Sequence, residues 1–319
     1  MREAETGLNE WIAQRVELLT GERPAGSPVI VRDTTRYMYI DRGDVVELGG
    51  ELFLVRGNEK EGRFGIDEQP KFWVKRAVSL SDGRKQVLKL VCQESFKVQV
   101  GSVTVTCWRS GEKEAGVLDL VRGDPRFMQG RAVRDCGDNL VRVLDFIEGT
   151  DLLTHIHSLN VPHETYFHQH FPSILTKTIE AFEAIRYLND NGLCHGDIRN
   201  DHIYIAREDG RYRWIDFDLT QDFGKFDLWS LGNVLHCIAG QGFVTFQDAI
   251  LSRPDLSGRL TDDDASVFFP HRVMNLGKVF PYLPGKLNDV LVRYSIGARN
   301  PYDSVAQVVA DLGACAAEL

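Results

Sequence analysis

The chain has no pair of cysteines at the spacing of a metal or redox motif. Its six cysteines, at positions 92, 107, 136, 194, 237 and 315, are scattered, which argues against a zinc site or disulfide framework and for reduced thiols. No run approaches the roughly 18 apolar residues of a membrane span. The start, Met1-Arg2-Glu3-Ala4-Glu5, lacks the basic residues and apolar stretch of a signal peptide, so a cytoplasmic location is expected. Positive charge is in deficit. Lys and Arg number 37 against 46 Asp and Glu, a net charge of −9, and no basic face for nucleic acid is implied. Internal repeats and low-complexity segments are missing as well. What remains is an ordinary globular composition, 43% hydrophobic and 26% charged, in 319 residues, ample for one large domain or two lobes.

The hydrophobic pattern divides the chain. Leu8 to Leu19 reads as an amphipathic helix through Trp11, Ile12, Val16 and Leu19, stopped by Gly21 and Pro24. From Val29 to Thr106 short β-rich runs alternate with Gly and Asp turns. Phe72 to Leu80, the turn Ser81-Asp82-Gly83 and Gln86 to Val91 give a hairpin signal. One helix interrupts, Glu112 to Val121, and strand signals return from Val141 to Ile147. Beyond Gly149 the pattern is mostly helical: Ile174, Leu175, Ile179, Phe182, Ile185 and Leu188 mark one face of a long helix that Gly192 stops. A β-rich half with one helix, followed by a helical half, predicts an α+β fold. Five histidines (155, 157, 163, 168 and 170) read as a solvated helix and loop, because no carboxylate or cysteine framework accompanies them.

Three carboxylate motifs carry the chemistry. His195-Gly196-Asp197-Ile198-Arg199-Asn200-Asp201-His202 is followed by an apolar run, then by Trp214-Ile215-Asp216-Phe217-Asp218, then by Asp227-Leu228-Trp229-Ser230-Leu231-Gly232. In this order, with hairpin spacing between the first two, they resemble the catalytic loop, metal motif and central helix of the protein-kinase-like superfamily. The resemblance covers roughly residues 50 to 319. It implies a two-lobed fold with ATP in the cleft, and phosphoryl transfer, whose core is positioning and charge neutralisation. Asp197 then falls at the catalytic carboxylate and Arg199 at the cation that meets the γ-phosphate. Gly196 is similar to the His-Gly-Asp of aminoglycoside and choline kinases. His202 replaces the usual asparagine metal ligand, and imidazole suits Mn²⁺ better than Mg²⁺; packing of the loop is the alternative role. His195 is expected to be structural. A literal Asp222-Phe223-Gly224 is set aside, because Tyr212-Arg213-Trp214-Ile215 reads as a strand ending at Asp216. Asp218 stands where the family has glycine, either as a further metal ligand or as a solvated turn residue. Only eleven steps separate Asp216 from Asp227 and no Ala-Pro-Glu follows, so the resemblance implies a shortened activation segment without a phosphosite. Arg299-Asn300-Pro301-Tyr302 before a final helix also resembles protein kinases.

In the first half, Val87-Leu88-Lys89-Leu90 resembles the phosphate-binding lysine strand, and Glu114 has the family spacing for its partner. Lys75, in Trp73-Val74-Lys75, competes for the same role. Gly57, Gly62 and Gly65 lie in a long loop whose amides can cradle phosphates, or form a simple flexible turn. Leu144 to Leu152 resembles the hinge: Asp145 and Ile147 would offer backbone groups to adenine, and Asp151 would reach the ribose. The expected organisation is a helical and β extension over 1–50, an N-lobe over 51–148 and a C-lobe over 149–319. ATP, Mg²⁺ or Mn²⁺, and a protein or small-molecule hydroxyl are the implied partners, with neither nucleic acid nor membrane. An atypical protein serine/threonine kinase is the leading expectation. A small-molecule kinase and a nucleotide-binding module without turnover are the alternatives.

Overall fold

A computed structural model describes residues 2–24, 26, 28–63, 66–100 and 103–319. The chain forms two compact units. The first comprises residues up to Gln93 together with Glu114–Gly123 and Met128–Phe146; the second holds Glu94–Lys113, Asp124–Phe127 and Ile147–Leu319. The class is α+β, with a curled sheet in the first unit and a mainly helical second unit. Among the described residues no helix is long and apolar enough to cross a membrane.

In the first unit seven strands form one sheet, in the spatial order Ile30–Val31, Val45–Leu48, Glu51–Arg63, Ile66–Ser79, Lys85–Lys89, Leu140–Asp145 and Gly130–Arg134. Alternation of apolar residues along each strand buries one face around Val46, Phe53, Val55, Leu88, Val141 and Val143. The N-terminal helix Arg2–Thr20 packs through Ile12 and Val16 on Val45, Leu54 and Leu80. Arg15 fixes its angle by donating to the Leu80 and Ser81 carbonyls. Trp11 is not on that face; it is 41% exposed, because the helix buries only the stripe facing the strand turn.

The expected glycine-rich loop is instead a long hairpin. Glu51–Arg63 pairs with Ile66–Ser79, so Gly57 and Gly62 lie within a strand, each at a shift of register. Gly57 has a φ of 137°, a conformation that suits a bulge and that side chains disfavour. Gly65 falls outside the described residues. Lys75, on the second strand of this hairpin, is fully buried and donates to the Ile40 carbonyl (2.6 Å) and to Asn58 Oδ1 (2.8 Å). It anchors the Tyr37–Tyr39 turn to the sheet.

The second unit is organised around the helices Phe171–Asp190 and Phe226–Gly240. The first buries a face from Phe171 to Leu188. The second is buried almost all round, as a central core helix must be. The final helix, Val305–Ala316, packs on Phe171–Asp190. Two small sheets complete the unit: Gly149–Asp151 with Ile203–Ala206 and Tyr212–Trp214, and Ser95–Val100 with Val103–Arg109 and Leu219–Gln221.

Replacing Lys75 with Met strands two buried acceptors and should lower the unfolding free energy by about 1–3 kcal/mol in denaturant titrations. Burial pulls the Lys75 pKa down to about 8 from 10.5, against the opposing pull of Asp41 and Asp44. Between those values the unfolded state holds a proton that the folded state has released. Stability from this site therefore rises with pH across the window. Wild type should gain on Lys75→Met over that range, whereas a constant difference would show an ordinary lysine.

Candidate active site

In the first unit a buried charge cluster sits on the sheet. Lys89 and Arg142 are directly opposed on neighbouring strands, a placement that would be repulsive alone. Glu114, on the helix Gly111–Leu120, lies between them: Lys89 Nζ is 2.9 Å from Oε1 and Arg142 Nε is 3.0 Å from Oε2. All three side chains are at most 6% exposed. Two cations thus share the Glu114 carboxylate, which offsets their mutual repulsion. Lys75, the competing lysine, is committed to Ile40 and Asn58 instead.

In the second unit a hairpin places the carboxylates. Ile203 pairs with Trp214 and Ile205 with Tyr212 across the Glu208-Asp209-Gly210 turn. The ladder continues one step outward, where Ile215 N donates to His202 O at 3.0 Å. His202 and Asp216 are thereby neighbours, although fourteen positions apart in the chain. Asp216 has a φ of 68°, an uncommon conformation for a residue with a side chain that Asp tolerates better than most. Next to it Phe217 is fully buried against His195 and Phe127.

The result is a cluster in which ligand atoms of Asp197, His202 and Asp216 all lie within 4.8 Å of one another. His202 Nδ1 is 2.7 Å from the Asp197 backbone carbonyl. That contact assigns the ring proton to Nδ1 and leaves the Nε2 lone pair, 3.8 Å from Asp216 Oδ2, as a ligand atom. This donor set, two carboxylates and an oriented imidazole, fits a divalent cation. His195 differs. It is fully buried, accepts from Asp197 N at 3.2 Å, and burial drives its pKa well below the usual value, so the ring is a neutral prop under the loop.

The catalytic loop is held at its backbone. Asp227, at the start of the core helix, accepts from His195 N (2.7 Å) and Gly196 N (2.8 Å). Burial raises its pKa while these two donors pull it down. Lys113 donates to His195 O (2.6 Å) and to Leu219 O (2.5 Å). Gly196 makes room for it: a Cβ there would lie 1.9 Å from Leu219 O and 2.7 Å from Lys113 Nζ, and the φ is +88°. Only glycine meets both conditions.

Asp218 is not brought into the cation cluster. Its carboxylate pairs with Arg109 at 2.8 Å, with both side chains buried, because the strand Leu219–Gln221 zips onto Val103–Arg109. Asp222 is likewise occupied, accepting from Thr106 N at 2.8 Å at the end of that ladder. Arg199 forms a two-point pair with Asp201. Asp151 caps the helix Leu152–Ser158 by accepting from Thr154 N. The Asp145 N–H is taken by Gln129 O, and Ile147 follows in the link to the second unit. The histidine run is not uniformly solvated: His163 bridges Tyr282 and Ala239 O and stacks on Phe280. Lys113, Arg109 and Arg142 escaped the sequence reading. For Lys113 a signal existed, a glycine at 196 beside a helix that presents a lysine next to Glu114.

Comparison with known proteins agrees with this geometry. The kinase domain of Mycobacterium tuberculosis PknI superposes with a TM-score of 0.51 at 16% identity, covering 84% of this chain and 97% of that one. The fold is that of a protein kinase. No protein-family model matches the chain. Curated protein kinases similar to it in sequence include serine/threonine-protein kinase PAK 5 of Rattus norvegicus, 27% identical over 189 residues, which span 49% of this chain and 23% of the relative. Death-associated protein kinase dapk-1 of Caenorhabditis elegans is 23% identical over 180 residues, 56% of this chain and 11% of the relative. Serine/threonine-protein kinase PAK 4 of Homo sapiens is 26% identical over 189 residues, with 49% and 28% coverage. The chain thus spans well under a third of the length of these kinases.

Gly196→Arg places a side chain where Lys113 and Leu219 O already stand in this kinase fold. It should cost at least about 1–3 kcal/mol of stability and loosen the 219–226 segment, read by denaturant unfolding and by protease cleavage within that segment. Native stability together with native protease resistance would show that Lys113 does not fill the site.

Proposed function

We propose that the protein is an ATP-dependent phosphotransferase acting on serine or threonine hydroxyls of proteins, with a shortened activation segment. The observation that carries this reading is the joint placement of Asp197, His202 and Asp216, with the His202 Nε2 lone pair turned toward Asp216. Asp197 is the general base: it takes the hydroxyl proton as the oxygen bonds to the γ-phosphorus and the bond to ADP breaks. Asp216 and His202 are the residues that would hold Mg²⁺ or Mn²⁺, which when bound supplies charge neutralisation on the phosphates. Lys89, held by Glu114, supplies a cation for the nucleotide phosphates, and Gly57, Gly62 and Gly65 are assigned to backbone contacts with them. Asp145, Ile147 and Asp151 are assigned to adenine and ribose, and Arg199 to the γ-phosphate, for which it would exchange its partner Asp201.

Turnover should separate from binding. Asp197→Asn should reduce phosphate transfer by about 10²–10⁴-fold and leave ATP affinity nearly intact, since a base acts in the transition state. Asp216→Asn should abolish metal-dependent nucleotide binding while Asp222→Asn changes little. Equal loss from both would refute the assignment. With imidazole as ligand, Mn²⁺ should support transfer at least as well as Mg²⁺, and His202→Asn should move the preference toward Mg²⁺. Tight ATP binding without transfer to any acceptor would instead identify a non-catalytic nucleotide-binding module.

A further inference from the structure

The second unit carries an open cavity of about 420 Å³ whose wall includes Asp197 and Asn200 on one side and Phe243, Phe268, Phe269 and Arg272 on the other. Arg272 is held by aromatic rings rather than by acids. Its Cζ lies 3.8 Å from the Phe243 centroid and 3.9 Å from the Phe269 centroid, both within cation–π range. Its Nε is buried without a hydrogen-bond partner among the described residues, and no salt bridge to it occurs among them. Arg199, on the same cavity, is by contrast neutralised by Asp201. The Asn200 Oδ1 is also buried without a partner. A planar, partly desolvated guanidinium with open donor positions is suited to a carboxylate or phosphate. Burial lowers the Arg272 pKa, and the Cys237 thiol pulls the other way.

We propose that this cavity is the acceptor subsite and that it takes an acidic peptide, Arg272 binding an anionic side chain while the acceptor hydroxyl lies at Asp197. The inference rests on the phosphotransferase reading and adds to it the class of substrate. The aromatic wall favours a peptide, since it offers apolar surface beside the single open cation. Once Arg272 is paired, its desolvation is compensated, so charge selection and affinity arise from one contact.

The test is fluorescence anisotropy of the full chain, without ATP, on labelled serine peptides flanked by Glu, by Lys or by phosphoserine. At about 0.15 M salt the Glu peptide should bind at least about 10-fold more tightly than the Lys peptide, the scale of one charged contact. Arg272→Gln should remove that preference and Arg272→Lys should retain part of it. Phosphoserine binding more tightly than Glu would assign the anion as phosphate; the reverse order would assign carboxylate. Equal binding of Glu and Lys peptides by the wild type overturns the proposal without need of a variant, as does an unchanged preference in a folded Arg272→Gln. Acidic-peptide binding without phosphate transfer would sustain the subsite and refute the phosphotransferase. Transfer to peptides without acidic preference would do the opposite.

Discussion

One ammonium group, that of Lys113, sets the geometry of the loop that carries Asp197. It holds two backbone carbonyls, one in the catalytic loop at His195 and one at Leu219 just after the Asp-Phe-Asp motif. A charged donor is worth more than a neutral one at such a position, and it occupies the volume that a side chain at 196 would need. The glycine at 196 and the lysine at 113 are two halves of one solution. Asp227 completes it from the other side by taking the N–H groups of His195 and Gly196. The loop is thus fixed through its main chain rather than through the Asp197 carboxylate.

Buried and half-buried charge is satisfied in two ways. Some charges with an architectural task are matched by opposite charge, Arg109 by Asp218 and Glu94 and Lys278 by Asp264, while Lys75, Lys113 and Asp227 are held by neutral polar groups. Three further groupings are arranged differently. Glu114 serves two cations, the Asp197–His202–Asp216 cluster gathers acids round an oriented imidazole, and Arg272 rests on rings alone.

Much of this was legible from sequence because it is local. The Glu208-Asp209-Gly210 turn between two short apolar runs dictates a hairpin, and the hairpin fixes Asp216 beside His202 by counting alone. The long helix was legible from its period, and Asp227 from its motif. What could not be read depends on partners remote in sequence. Asp218 looks like a candidate ligand until Arg109 is seen beside it. Trp11 fits the apolar stripe of its helix, yet Leu8, Ile12, Val16 and Leu19 are the residues that pack on the sheet. His163 looks solvated by composition, but Phe280 and Tyr282 close over it. The glycines at 57 and 62 suggest a loop because bulges and loops use the same residue for the same conformational freedom.

The pairing of Leu219–Gln221 with Val103–Arg109 has a consequence for how the molecule comes to be. Arg109 and Asp218 are separated by 109 positions, and Lys113 reaches Leu219 O across 106. Contacts of such high sequence separation close large loops, and they are rewarded only after that entropy has been spent. During synthesis the Ser95–Val100/Val103–Arg109 hairpin emerges long before its third strand exists. Its outer edge is an open pairing template in the interval. The Asp216–Asp218 turn is therefore expected among the last parts of the chain to order, and the hairpin's exposed edge is where a nascent or partly unfolded chain is most open to chaperones and to its own copies.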